Sequence, residues 1–437
     1  MWSFYVTSFY LINGVVKIKS KIVVVCILIA ICISVMGTAY GSFDIRKDTD
    51  LPLTEQEILD LIEKNTEPTN PNYLSEIQKY ESLIAVYGII PSKSGIEAYE
   101  WDLLLQDVAR SIQKDDTLEK DMKAFGGSII AYTVTNGYMS VLISKESDLS
   151  KEDLKRIETV FSNHALKHGV KDLPLIVIYS EEFTFTSSPI YTLPVSPDNS
   201  TYYKKEQPII GGISVVSADR ALGTLGYSVV KNNNASGTRG YITAGHLVPK
   251  NQVSTLYQPY QTSSSENSIG NANNNQPEID VVYVVNSNVQ PIIHVGEDPV
   301  LKNMTNRTLE NKTKLVVYGS SSPSGEIRRY GGMTGNTGGY NKGYAYNITA
   351  PNIPGTIVYA AGIMNGTAAT SGDSGGPVYT AMNLSIGNQR DYQAFIIGMT
   401  FANGTYQGEP VSLYAPNSEI DYYFGLKPYV ITGKYLT

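Results

Sequence analysis

Gly372-Asp373-Ser374-Gly375-Gly376-Pro377 stands near the C-terminal end of a 437-residue chain, and Thr243-Ala244-Gly245-His246 stands well upstream of it. Between them runs a strand-like stretch, Glu278-Ile279-Asp280-Val281-Val282-Tyr283. Either short string alone is compatible with chance. Together they set a histidine, an aspartate and a serine in that order along the chain. A serine hydroxyl is a poor nucleophile at neutral pH, so an imidazole must take its proton and a buried carboxylate must hold that imidazole in the right tautomer. Glycines on both sides of Ser374 suit a strained loop whose backbone N–H groups converge on one spot, as stabilisation of an oxyanion requires. Ser374 is therefore the candidate nucleophile, His246 the base and Asp280 its carboxylate. The backbone N–H groups of Gly372 and Ser374 are the candidate oxyanion donors.

Each assignment competes with a plainer one. The chain has four histidines. His164 and His168 share a helix face at i, i+4, which a metal pair would need, but no third ligand or glutamate accompanies them, so a solvated face is expected. His294 is expected in a loop after Pro291-Ile292-Ile293, with no motif around it. Asp280 adjoins Val281, Val282, Val284 and Val285, a run expected to enter a core, where an isolated charge is costly unless paired. Asp298, on a Gly-Glu-Asp-Pro turn, is the runner-up carboxylate. Asp373 is expected to brace the nucleophile loop.

A formal net charge of -7 argues against a nucleic-acid partner. The two cysteines, Cys26 and Cys32, both fall in an apolar run from Ile22 to Met36, so the rest of the chain has neither a disulfide nor a thiolate metal site. That run follows Lys17, Lys19 and Lys21 and precedes Gly37-Thr38-Ala39, the pattern of a secretory signal. It is shorter than the roughly 18–20 apolar residues a spanning helix prefers; an uncleaved anchor at the cell surface is the alternative, and the only route to a membrane. Residues 1–41 are assigned to this segment. Sequons at Asn199, Asn234, Asn303, Asn306, Asn311, Asn347, Asn365, Asn383 and Asn403 fit an exported glycoprotein.

From residue 42 to 125 the pattern is helical, with capping boxes at Thr54 and Ser75 and an amphipathic stretch from Glu97 through Trp101, Leu104 and Val108 to Ile112. Residues 126–186 read as an α+β unit. Ile129 to Thr135 and Tyr138 to Ser144 form a hairpin around Asn136-Gly137, Ser150 caps a helix reaching Leu166, and Leu173 to Tyr179 is a strand. A Pro- and Ser-rich linker spans 187–208. From Ile209 to the end short strands alternate with Gly/Asn/Ser loops, a size and pattern that fit two packed β-barrels. One helix is expected at Asn417 to Phe424.

The segment 209–437 resembles the streptogrisin and α-lytic protease branch of chymotrypsin-like serine proteases. The resemblance is carried by Ile209-Ile210-Gly211-Gly212, by Gly240 to His246, by Gly331 to Thr337, by Gly372 to Tyr379, by Gly398-Met399-Thr400 and by Ser412 to Pro416. It implies an all-β protease domain of two packed six-stranded antiparallel barrels preceded by an α+β pro-region. The implied activity is peptide-bond hydrolysis through an acyl-enzyme, with protein or peptide substrates and no cofactor or metal. The pro-region would serve as folding aid or inhibitor of a zymogen. Departures are Leu247 and Ala368, where the family has cysteines, and Phe401, where it has a serine that helps hold the aspartate. The resemblance walls the substrate pocket with Ala368, Phe401, Ala402 and Asn403, which carry no counter-charge for Lys or Arg and suit an uncharged, apolar side chain. Asn365 and Asn403 lie close to it and are expected to carry no glycan. Maturation is expected by a cut between about Asn199 and Gly211, leaving a start near Ile209 or Ile210. A non-catalytic binding protein on a protease fold is the competing function.

Overall fold

A computed structural model of the chain describes residues 63, 66, 68–73, 82–115, 129–185, 188–189, 206–219, 221–231, 237–258, 267–273, 279–296, 301, 303–305, 307–308, 311–320, 326–349, 357–386 and 389–430. Asn136-Gly137 does what its backbone freedom allows. Both residues take positive φ (45° and 85°), the type I′ geometry that matches strand twist. The strands it joins, Ile129–Thr135 and Tyr138–Ser144, are buried at every residue. Their lack of polar alternation follows from cover on both faces. One face meets Leu105, Val108 and Ile112 of helix Gly95–Gln113 and Ile157, Phe161 and Ala165 of helix Lys151–Lys167. The other face, with Ile130, Tyr138 and Leu142, joins the large core of the following domain.

Helix Lys151–Lys167 starts where Ser150 and Asp153 form a reciprocal capping box, an arrangement contributing about 1 kcal/mol. It is the crossover that lets Leu175–Ser180 pair parallel with Tyr138–Ser144. Leu83–Tyr87 adds antiparallel to the far side of Leu175–Ser180. This strand corrects the all-helical expectation for residues 42–125: Leu83-Ile84-Ala85-Val86-Tyr87 is a β-branched and aromatic run without helical spacing, and a waiting sheet edge supplies its hydrogen bonds. The capping boxes at Thr54 and Ser75 lie outside the described residues, as do the apolar run 22–36 and linker residues 190–205. No helix among the described residues is long and apolar enough to cross a membrane.

Among the described residues after 209 the chain is almost entirely β, as its Gly/Asn-punctuated runs imply, with helix Asn417–Phe424 at the expected bounds. The strands fall into three sheets. A four-stranded sheet runs Val281–Val285, Arg239–Ala244, Ser228–Lys231, Leu426–Pro428. A five-stranded sheet runs Ser268–Asn273, Val253–Tyr257, Ser214–Ser217, Ala221–Thr224, Ser188–Pro189. The third has 14 strands and crosses the expected domain boundary. Ile129–Thr135 pairs antiparallel with Gly335–Thr349 at Val134–Tyr344, Thr133–Ala345 and Tyr132–Tyr346, so the α+β unit and the later β-domain share one sheet. Tyr132 stacks on Tyr346 across this junction, with ring centroids 5.7 Å apart.

Candidate active site

Arg239–Ala244 and Val281–Val285 pair antiparallel, ending at Ala244 opposite Val281. The residues just past that pair, His246 in the turn Gly245–Leu247 and Asp280 at the strand's entrance, are therefore neighbours. Asp280 sits at φ 50°, an uncommon conformation for a non-glycine residue. From there its carbonyl accepts the Gly245 N–H (2.8 Å), Oδ1 accepts the His246 N–H (2.8 Å), and Oδ2 lies 2.6 Å from His246 Nδ1. The two side chains are 1% and 3% exposed. The backbone bond fixes one carboxylate oxygen and leaves the other for the ring, so the imidazole is held in one orientation in a low-dielectric setting. Both oxygens of Asp280 are thus bonded although Phe401 brings no hydroxyl. Asp298 lies outside the described residues.

Ser374 is fully buried. Its Oγ donates to the Phe401 carbonyl at 3.2 Å, and its carbonyl accepts the Thr224 N–H at 2.6 Å. A Cβ placed on Gly223 would lie 2.4 Å from Leu247 Cδ1 and 2.8 Å from the Ser374 carbonyl. The histidine turn and the serine loop thus meet at the strand Ala221–Thr224. Gly372 takes φ 99°, and its carbonyl is tied down by Thr224 Oγ1 (2.8 Å). Gly375, at φ 94°, approaches so closely that a Cβ there would fall 1.9 Å from the Thr224 carbonyl. The glycines flanking Ser374 are required by backbone conformation and by space, as the loop's sequence implied.

Asp373 braces this loop. Its Oδ1 accepts the N–H groups of Met333 (2.8 Å) and Thr334 (3.1 Å). Oδ2 accepts from Thr370 N (2.8 Å), Thr334 Oγ1 (2.8 Å) and Arg329 Nη1 (3.2 Å). Arg329 and Asp373 are both 0% exposed. Burial pulls the guanidinium pKa down from its usual value, against the attraction of Asp373. Arg329 was missed by the sequence reading. Its one signal is a cation at an inward position of Glu326–Gly331, between Ile327 and Tyr330, which demands a buried anion. Thr243, whose hydroxyl donates to the Thr224 carbonyl (2.8 Å), stood in the histidine string without a role of its own, and Thr224 left no signal at all.

The residues expected to line the pocket lie on two neighbouring segments. Phe401 and Ala402 are buried in strand Gln389–Tyr406, and Ala368 is half-buried. Asn403 Nδ2 donates to the Ala369 carbonyl and ties the two segments together. Asn365 Oδ1 accepts the Tyr340 N–H at 2.8 Å, so both side-chain amides near the pocket are engaged within the fold.

Two histidine expectations need correction. His164 is buried rather than solvated, with Nδ1 3.0 Å from Ser111 Oγ and Nε2 3.1 Å from Asp115 Oδ2. Desolvation, with Lys167 next in weight, lowers its pKa. His294 ends the strand Val289–His294 instead of lying in a loop; its Nδ1 accepts the Gly296 N–H (3.1 Å) and its ring lies 5.1 Å from that of Tyr330. Burial and the Lys314 charge push its pKa down to about 4. Among the described residues no three His, Cys, Asp or Glu side chains cluster as metal ligands would.

No protein-family model matches the sequence, and no curated protein matches it. Solved structures similar to the chain are chymotrypsin-like serine proteases. Thermobifida fusca Protease A is 22% identical over 51% of this chain and 99% of its own, with a TM-score of 0.34. Cellulomonas bogoriensis chymotrypsin is 20% identical over 51% and 99%, at 0.34. A glutamic-acid-specific serine protease, described as using a histidine triad in substrate binding, is 17% identical over 51% and 100%, at 0.35.

Proposed function

We propose that the chain is an exported serine endopeptidase made as a zymogen, with Ser374, His246 and Asp280 as its catalytic triad. The observation that carries this reading is the buried His246–Asp280 pair at 2.6 Å, set beside a strained Gly-framed loop that carries Ser374. Ser374 Oγ attacks the peptide carbonyl while His246 takes its proton. Asp280 stabilises the imidazolium, and the N–H groups of Gly372 and Ser374 receive the oxyanion. His246 then returns the proton to the leaving amine, and water cleaves the acyl ester by the same route. The uncharged wall of Ala368, Phe401, Ala402 and Asn403 favours uncharged, apolar side chains before the cut bond. The shared sheet supports a pro-region that templates folding of the later domain, since long-range β-pairing is slow to form unaided.

The test is labelling with a serine-directed phosphonate and turnover of peptide substrates. Ser374→Ala is expected to abolish labelling and lower turnover by about 10⁴–10⁶. Turnover within tenfold of the parent chain would reject the assignment and favour a binding protein on a protease fold.

A further inference from the structure

We propose that Met333 is a site of reversible sulfur oxidation, through which peroxides silence the serine loop. The proposal rests on the reading of Ser374 as nucleophile and Gly372 as an oxyanion donor, and adds control by an oxidant to that reading.

Met333 stands in the turn between the strands Glu326–Gly331 and Gly335–Thr349. Its side chain is 40% exposed, although a long apolar group gains by burial. The backbone around it is pinned. Gly332 N–H donates to Thr224 Oγ1 (3.1 Å), and the N–H groups of Met333 and Thr334 donate to Asp373 Oδ1 (2.8 and 3.1 Å). Thr224 Oγ1 also holds the Gly372 carbonyl (2.8 Å), so the turn and the serine loop are tied through shared partners. The side chain lies against that loop. A Cβ placed on Gly372 would fall 2.7 Å from Met333 Cγ and 3.6 Å from its Sδ, with Leu222 Cδ2 also at 3.6 Å. The thioether thus covers the α-carbon of the residue whose N–H is the proposed oxyanion donor.

The other methionines with described side chains differ from it. Met139, Met364 and Met399 are buried, and Met304 packs against the large core. Met382 is 38% exposed, but it stands opposite Gln393, about 16 Å of extended strand beyond Pro377. Exposure and a place against the serine loop coincide at Met333.

Oxidation of a thioether needs only that a peroxide reach the sulfur. A sulfur lone pair attacks one peroxide oxygen, the O–O bond breaks and an S–O bond forms. The second oxygen leaves with both protons as water. Sulfur loses two electrons and the peroxide gains them. A thiol reductant later returns two electrons and two protons, and the oxygen departs as water. The sulfoxide is polar, and its oxygen is a strong hydrogen-bond acceptor. Held against Gly372 by a pinned backbone, it competes with the reacting carbonyl oxygen for the Gly372 N–H. Losing one oxyanion donor costs about 10²–10³ in turnover, so partial competition suffices to silence the site.

The experiment treats the full chain with hydrogen peroxide, then reads methionine oxidation by peptide mass, peptide turnover and phosphonate labelling. Met333→Leu and Met382→Leu are treated alongside, each scaled to its own untreated rate. The Met333 peptide should gain about 16 Da, and kcat and labelling should fall at least about tenfold in step with it. Met382→Leu should lose as much as the parent chain, and Met333→Leu should keep at least about half its rate. Methionine sulfoxide reductase with a thiol should restore mass and rate together. A Met333→Leu chain that loses activity as steeply as the parent overturns the proposal and spares the proposed function. So does complete oxidation of Met333 with kcat within about twofold, or a Met333 left intact while Met382 is oxidised. A loss that persists after the sulfoxide is reduced overturns it too. Absence of both turnover and labelling in the untreated chain removes the nucleophile assignment, and the proposal with it.

Discussion

Replacing Arg329 by methionine strips the positive half from an ion pair in which neither side chain is exposed. Breaking a buried pair by removing one partner costs about 3–5 kcal/mol, because the remaining charge stays desolvated. Here the lower end applies. Asp373 retains three backbone N–H donors and the Thr334 hydroxyl, which go on stabilising the carboxylate. Lost besides the charge are the Nη1 bond to Thr334 Oγ1 and the Nη2 bond to the Thr367 carbonyl. Asp373→Ala is the harsher change. It deprives Met333, Thr334 and Thr370 of their acceptor, at about 1–3 kcal/mol each, and leaves a guanidinium without its anion. That variant should not accumulate as folded protein. Arg329→Met, made in the Ser374→Ala chain, should lower the urea midpoint by about 1 M for a loss near 3 kcal/mol. In the parent chain it should cut kcat by about 10²–10³, because the pair holds the loop that carries the proposed oxyanion donors. A midpoint shifted by less than about 0.2 M, with kcat within threefold, would refute the bracing role.

Asp280→Asn should lower turnover by about 10⁴ at neutral pH with little loss of fold, since an amide there favours the wrong imidazole tautomer; unchanged turnover would point to another carboxylate. His294 is buried neutral with its pKa depressed to about 4, so its contribution is full above pH 6.5 and is lost as pH falls from 6.5 to 4. His294→Asn should remove up to about 3 kcal/mol of acid destabilisation, read as the difference between urea midpoints at pH 7 and pH 4.5 in the two chains. Asp102 behaves in the opposite sense. Desolvation raises its pKa to about 6, despite the hydrogen bond from the Gly137 N–H, so the stability it leaves intact below pH 3.8 is lost as pH rises to 6. Asp102→Asn keeps an acceptor for Gly137 and should raise stability at pH 7 by at most about 3 kcal/mol; a less stable variant would show that the carboxylate is needed charged.

Local chemistry made much of this molecule readable. Asn136-Gly137 requires a primed turn, Ser150 and Asp153 cap each other, and the glycines around Ser374 announce a tight loop. The order His246, Asp280, Ser374 named a histidine and an aspartate that the structure pairs, and a serine whose loop meets the histidine turn at Gly223. What was not readable depends on partners far along the chain. His164 is buried because Ser111 and Asp115, about fifty residues away, receive its ring. Arg329 needs Asp373, 44 residues on, before its burial makes sense. The strands Thr184–Phe185 and Ser188–Pro189 are two residues each and carry no periodicity. They are strands only because sheet edges on either side of the serine offer them hydrogen bonds.

The sheet shared by Ile129–Thr135 and Gly335–Thr349 separates two events that a single bond would otherwise couple. A cut in the linker, as the proposed zymogen requires, would sever the backbone but leave the Val134–Tyr344, Thr133–Ala345 and Tyr132–Tyr346 ladder intact, with Phe183 still seated in the core. In the proposed zymogen the N-terminal part would then behave as a tightly held second subunit, and the proposed activity would begin only with its dissociation. Its departure would turn Tyr344 to Tyr346 from an interior ladder into a rim, baring Tyr346 and Ala360 to water. A rim of that kind is a template for any strand that finds it. A separated β-domain would thus carry a standing affinity for a returning copy of the N-terminal part, and a liability toward self-association in its absence.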